Sequence, residues 1–209
     1  MNKNLILLIL ILITKYSVAQ TADSLYVFVG EKIAVSRYNP ADEDPDTMNR
    51  KNKIYFDEAF HAKYRVIKNV FNKITSDTIY FDAFDHYGTP PFSKYRYVLL
   101  FVSKENGKFY HEKYQFYNVY QTKNGRWASP GDPYAFDQKG DTEVKAVPLD
   151  FKEPVTFDVS KISPENIKRY YPAPYYKIEG GKAIALMGNY VEELFIVKKE
   201  GVLEARGIF

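Results

Sequence analysis

The chain has no cysteine, only three histidines and a single tryptophan, and each scarcity removes a class of chemistry. Without cysteine there is no thiolate nucleophile, no thiolate metal site and no disulfide framework. The fold must therefore be held by burial of apolar surface alone, which a chain of this length can achieve. Also missing are a Gly-x-Ser-x-Gly elbow, a His-Glu-x-x-His pair, a P-loop and a Gly-x-Gly-x-x-Gly turn, the signatures of common hydrolases, zinc proteases and nucleotide binders. Charge of one sign is scarce as well. Lysine plus arginine number 29 against 26 acids, and setting aside residues 1–19, which carry Lys3 and Lys15, leaves 27 against 26. Binding to a polyanion needs a clustered basic surface, so no nucleic-acid partner is expected.

Long apolar runs are few. The longest, Leu5–Ile13, follows Lys3 and precedes Ser17-Val18-Ala19, the order of a secretory signal. It is too short to span a bilayer, which takes about 20 apolar residues. Cleavage after Ala19 is expected to leave Gln20 at the N-terminus, with no cysteine for lipid attachment. The mature protein is then periplasmic or secreted, with no stable membrane span.

Aromatic residues, by contrast, are plentiful: 19 tyrosines and 15 phenylalanines. Such residues suit pleated, half-buried surfaces, and most are expected in core and cross-strand packing. The alternative is an exposed tyrosine platform for sugar or peptide. Tyr97–Val102 has no polar break and reads as a strand covered on both faces. Ile79–Phe84 is similar but carries Asp82, so one face meets water there. Between them, Gly88, Pro90 and Pro91 make a stiff loop, read as a hairpin end. In Phe60–Val66 the alternation sets Phe60, Ala62, Tyr64 and Val66 inward and turns His61 outward among Lys63 and Arg65. Leu25–Ser36 is a first strand in which Gly30 marks a bulge or a close backbone approach.

Asn106-Gly107 is a tight hairpin signal, setting Val102 opposite His111 and Leu100 opposite Lys113. Phe109–Thr122 reads as one long aromatic strand, and Asn124-Gly125 repeats the turn signal, so a meander is predicted. The acid-rich stretch Asn39–Asn52 lacks the glycine and terminal glutamate of a calcium loop and reads as solvated. Ser129–Asp141 breaks the hydrophobic pattern. Beyond it, Val155, Phe157 and Val159 alternate with polar residues. Ser163-Pro164 starts a short helix that Pro172 and Pro174 stop. Hairpins are expected at Gly180-Gly181 and, joining Leu194–Lys198 to Val202–Ala205, around Gly201.

Three segments in this order, LYVFVGEKIAV at Leu25–Val35, HAKYRVIKNVFN at His61–Asn72 and YVLLFVS at Tyr97–Ser103, resemble the first half of the netrin-like barrel of the tissue inhibitors of metalloproteinases. The resemblance spans about half of the mature chain and implies an OB-type barrel. In the animal inhibitors an N-terminal cysteine reaches the protease metal. This chain has none, so protease inhibition does not carry over. The wider chain resembles small exported proteins of Bacteroidetes-type bacteria, which implies no activity.

The expected fold is mainly β, an antiparallel OB/netrin-like barrel or a sandwich with one or two short helices. Residues 1–19 are the signal, 20–129 the barrel or meander, and 130–209 a β-rich extension packed on it. The candidate binding residues are Asp82, Asp85, His86, Tyr87 and His111. Asp82 and His86 share a strand parity and His111 lies on a nearby hairpin, and histidines beside carboxylates suit acid–base work. The loops 39–53, 85–94 and 129–141 are the expected contact surfaces. No cofactor and no metal are expected. The reading is an exported non-catalytic module for a protein, peptide or glycan, with a metal-dependent or acid–base hydrolase built on Asp85 and His86 as the alternative.

Overall fold

The computed structural model describes residues 25–43 and 56–209; the apolar run Leu5–Ile13, Gln20 and the acidic stretch from residue 44 onward lie outside the described residues. Strands dominate, as the sequence predicts. Five of them close into a barrel: β1 (Leu25–Tyr38), β2 (Glu58–Phe71), β3 (Thr78–Asp85), β4 (Tyr97–Glu105) and β5 (Lys108–Asn118). Their order is β1-β2-β3-β5-β4, with β4 hydrogen-bonded back to β1. Pairing is antiparallel except between β3 and β5, which run parallel at Asp82 and Tyr110. This is the strand order of an OB-type barrel.

Strand β4 explains the closure. Val98, Leu100 and Val102 point into the barrel with Phe28, Phe60, Tyr64, Ile79 and Phe81. Leu99 and Phe101 point outward into a second core with Val27, Val29, Val191 and Leu194. All five residues from Val98 to Val102 are fully buried, so the unbroken apolar run is satisfied on both faces. Gly30 sits at a shift in the β1–β2 register, and a Cβ there would lie 2.9 Å from Phe28 Cε2 and 3.0 Å from Tyr64 Cδ1. The small residue lets a long strand bend across a filled interior.

The loop after β3 is not a hairpin end, because β5 lies between β3 and β4 and the connection must cross the end of the barrel. It does so through a 3₁₀ turn, Pro91–Lys94, that drives Phe92 into the core. The Phe92 ring meets His111 at 4.6 Å and Tyr64 and Phe81 at 6.0 Å. Burying such a ring contributes about 1.5–3 kcal/mol, so the proline-bearing loop closes the barrel as well as connecting it.

The Asn106-Gly107 turn has the predicted form, with φ of 49° and 84° joining Glu105 to Lys108. Val102 opposes His111 as expected. Leu100, however, faces Phe116 rather than Lys113, because a bulge intervenes. The long aromatic strand also breaks at Val119. Its continuation, β6 (Tyr120–Gln121), joins a different sheet with β7 (Trp127–Pro130), β8 (Val147–Pro148) and β12 (Met187–Tyr190). The two Asn-Gly turns therefore serve separate sheets, and in the second only Gly125 has a positive φ, closing a longer loop in which Thr122 N–H donates to the Arg126 carbonyl.

A third sheet is formed by β9 (Thr156–Asp158), β10 (Tyr176–Glu179) and β11 (Lys182–Ala185). Gly180 and Gly181, at φ of 57° and 73°, make the expected β10–β11 turn. Among the described residues there are three short α-helices: α1 (Pro40–Glu43, a single turn), α2 (Pro164–Tyr170) and α3 (Val191–Lys198). Ser163 caps α2 by accepting from Asn166 N–H, with Pro164 at the first helical position. The expected hairpin around Gly201 is instead α3 and a following π-helical turn, Lys199–Leu203. Val191, Leu194 and Val197 are buried at helical spacing, the first two against the barrel, and Glu193 accepts from Tyr190 N–H at the helix start. A run as short as Leu-Phe-Ile-Val fits either period, and burial against β1 and β4 selects the helix.

Candidate functional site

The structure keeps Asp85, His86 and Tyr87 together at the end of β3 and sets Asp82 and His111 apart from them. Asp82 faces outward, directly across from His61 in the β2–β3 register, and His61 Nδ1–H donates to its Oδ1 at 2.8 Å. The His61 ring also stacks on Tyr38 at 3.7 Å, so His61 is outward but held by a carboxylate and an aromatic face rather than set among cations. Asp85 is buried, and its Oδ1 accepts from Tyr87 N–H at 2.8 Å, an Asx turn that ends the strand. His86 is exposed, with Nδ1–H donating to the Phe56 carbonyl at 3.0 Å. Tyr87 is 86% exposed. His111 belongs to the barrel end: its ring packs on Phe92 and its Nε2–H donates to the Gln115 carbonyl at 3.0 Å. Desolvation lowers its pKa to about 4, so it is neutral at physiological pH. Among the described residues, no group of three or more histidines and carboxylates is placed to hold a metal ion.

A concavity of about 330 Å³ flanks His61 and Asp82, and a larger one lies in a different region. A cleft of about 610 Å³ opens between β5, the segment 129–137 and the run Arg169–Tyr176. Tyr95, Tyr171 and Tyr176 line it, each half-buried. Tyr171 and Tyr176 meet edge to face at 5.2 Å, and Phe157 packs on both. Among the described residues, the hydroxyls of these three tyrosines have no protein hydrogen-bond partner. Burial raises their pKa values, and neighbouring phenols, that of Tyr120 for all three, add to the effect. All three stay protonated donors across the physiological range. Tyr114, Phe136 and Tyr170 form an exposed aromatic rim.

Beneath the cleft lies a buried ion pair. Lys198 Nζ donates to Asp137 Oδ1 at 2.7 Å, with the two side chains only 7% and 5% exposed. Asp137 Oδ2 accepts from the Tyr117 hydroxyl at 2.9 Å, and the Lys198 ammonium lies 4.8 Å from the Tyr117 ring. Desolvation lowers the Lys198 pKa against the opposing pull of Asp137, and burial raises that of Tyr117. Both carboxylate oxygens are engaged, so the cluster forms a neutralised floor and leaves no unpaired nucleophile.

The bulge in β5 shapes the rim. Tyr114 has a φ of 66°, a left-handed conformation costly for a residue with a Cβ. Several contacts hold it there. Arg206 donates to Glu112 Oε2 and to the Lys113 carbonyl, both at 3.0 Å, while Gln115 Nε2–H donates to the Lys113 carbonyl at 3.1 Å. Ser103 Oγ–H donates to Glu112, and Lys113 Nζ donates to Asp57 at 2.7 Å. The result turns the Tyr114 ring to the mouth of the cleft, where Tyr87 lies 6.3 Å from it. Of the five candidate residues, Tyr87 alone borders the cleft in this way. Among the described residues of the expected contact loops, those that line it belong to the 129–141 segment.

Sequence reasoning missed Tyr95, Tyr114, Tyr171 and Tyr176. A signal existed in Tyr170-Tyr171-Pro172-Ala173-Pro174-Tyr175-Tyr176, where aromatics flank prolines that do more than stop a helix. No family model, curated protein or solved structure matches the chain.

Proposed function

We propose that this is an exported, non-catalytic binding module that takes its ligand in the aromatic cleft. The observation that carries this reading is a set of half-buried tyrosine hydroxyls without protein partners, inside a cavity rimmed by exposed aromatic rings. Unpaired polar groups in a cleft, with large apolar faces beside them, are what a small-ligand site consists of. Holding Tyr114 in a strained conformation at the rim supports the same reading, since such strain collects at ligand contacts. Export rests on the Lys3, Leu5–Ile13 and Ser17-Val18-Ala19 pattern. Kinship with the netrin-like barrel is part of the proposal, and the OB-type strand order is what it requires.

The alternative, a hydrolase at Asp85 and His86, has less support: the first carboxylate accepts a backbone turn bond and the second ring donates to a backbone carbonyl. A fragment screen followed by amide and side-chain NMR separates the two. Shift changes concentrated at Tyr95, Tyr114, Tyr171 and Tyr176 are expected. Changes centred on Asp85 and His86, or turnover of chromogenic esters that His86→Ala abolishes, would overturn the proposal.

A further inference from the structure

We infer that the cleft ligand is a neutral oligosaccharide, gripped by ring stacking at the rim and by phenol hydroxyls on the wall. The inference rests on the cleft being the recognition site. The floor pair Lys198 and Asp137 is internally neutralised, and Arg169 and Asp132 on the lining carry opposite signs. The cleft thus presents no excess charge to an anion or a cation. What remains is hydrogen bonding and aromatic surface.

The hydrogen-bonding groups then select among neutral ligands. Each phenol both donates and accepts, and those of Tyr95, Tyr171 and Tyr176 have neither role filled by the protein. Burial keeps all three protonated. A ligand that leaves buried hydroxyls half-satisfied loses affinity. Proline-rich peptides also dock on tyrosine grooves, but their prolines offer carbonyl acceptors and no N–H. Sugar hydroxyls donate and accept together, matching the phenols in both roles.

The rim supplies the other half. A pyranose ring has an apolar C–H face and polar edges, so it can lie on an aromatic ring while its hydroxyls reach a polar wall. Tyr114, Tyr170 and Phe136 are 43%, 44% and 84% exposed at the mouth. Exposing three large rings around one opening is costly unless something covers them. At about 610 Å³ the cavity has room for a short chain of sugar rings, and Tyr87 beside Tyr114 extends the aromatic track beyond it.

The test uses the full mature chain and a panel of neutral tetrasaccharides (cello-, malto-, manno-, xylo- and chito-), titrated by calorimetry and by NMR. At least one is expected to bind with shifts at the cleft. The double variant Tyr171→Phe/Tyr176→Phe keeps the rings and removes two hydroxyls, and should weaken binding about tenfold or more. Tyr170→Ala should weaken it with an unchanged fold. A doubly substituted variant that binds as tightly as the parent overturns the inference. So does cleft binding of a polyproline peptide while every tetrasaccharide stays idle, although the cleft then remains a recognition site. If no probe shifts the cleft residues, both this inference and the proposed site fail.

Discussion

Lys198 and Asp137 illustrate what a single buried group decides. Their pair is almost inaccessible, and Asp137 also accepts from Tyr117. Lys198→Met should strand a buried carboxylate and cost about 3–5 kcal/mol, whereas adding Asp137→Leu should recover most of the loss. Denaturant melts of the two variants check this, and a double variant no better than the single one would contradict it. His111 gives a pH dependence. Its native pKa of about 4 lies below the unfolded value of 6.5, so between these values the unfolded chain binds a proton that the native chain refuses. The contribution is complete above pH 6.5 and is lost as pH falls towards 4. Fully realised, the shift is worth about 3 kcal/mol, and because His111 retains some solvent access about 1–2 kcal/mol is the expected loss. Arg206 reinforces the neutral form. Stability measured from pH 7 to 4 should slope downward in the parent and less steeply in His111→Phe.

At the scale of elements, the β5 bulge ties stability to recognition. Tyr114 adopts its left-handed backbone only because Arg206, Ser103, Gln115 and Asp57 pin the neighbouring residues. Glycine needs no such help. Tyr114→Gly should therefore leave the melting temperature unchanged or raise stability by up to about 1 kcal/mol, while weakening any ligand of the cleft. A variant that melts well below the parent would show that the ring, not the strain, dominates. The bulge was not legible in the sequence. The Asn106-Gly107 turn sets a register that holds as far as His111, and nothing in Glu112–Gln115 announces the extra residues. The contacts that hold them come from β4, the C-terminal segment and Asp57, just before β2.

Considered whole, the molecule is a barrel whose outer surface is not finished by its own strands. Val27, Val29, Leu99 and Phe101 point away from the barrel interior and are covered by Val191, Leu194, Leu203 and Ile208. Uncovering a buried side chain of this size costs about 1.5–3 kcal/mol, and several together approach the whole stability of a domain. Residues 25–129 expressed alone should therefore bind hydrophobic dyes, aggregate and lack dispersed amide resonances. A fragment with a cooperative melt and native-like dispersion would show the barrel to be self-sufficient. The same covering elements make the cleft, since Leu194 and Lys198 of α3 line it together with β5 and the Tyr170–Tyr176 run.

By itself the sequence determined what depends on near neighbours: the strand alternation of Phe60–Val66, the positive-φ turns at Asn106-Gly107 and Gly180-Gly181, the Ser163 cap, and the doubly buried run Val98–Val102. These follow from steric and hydrogen-bonding rules acting within a few residues. Only the tertiary structure decided what depends on distant ones. It placed β5 between β3 and β4, turned Leu194–Lys198 into helix, and gave Asp82 to His61 instead of His86. It also joined Asp137 to Lys198, 61 residues away, and gathered Tyr95, Tyr114, Tyr171 and Tyr176 around one cleft. A tyrosine's local pattern is the same whether its face meets core or cavity, and the difference arises only when separate elements pack.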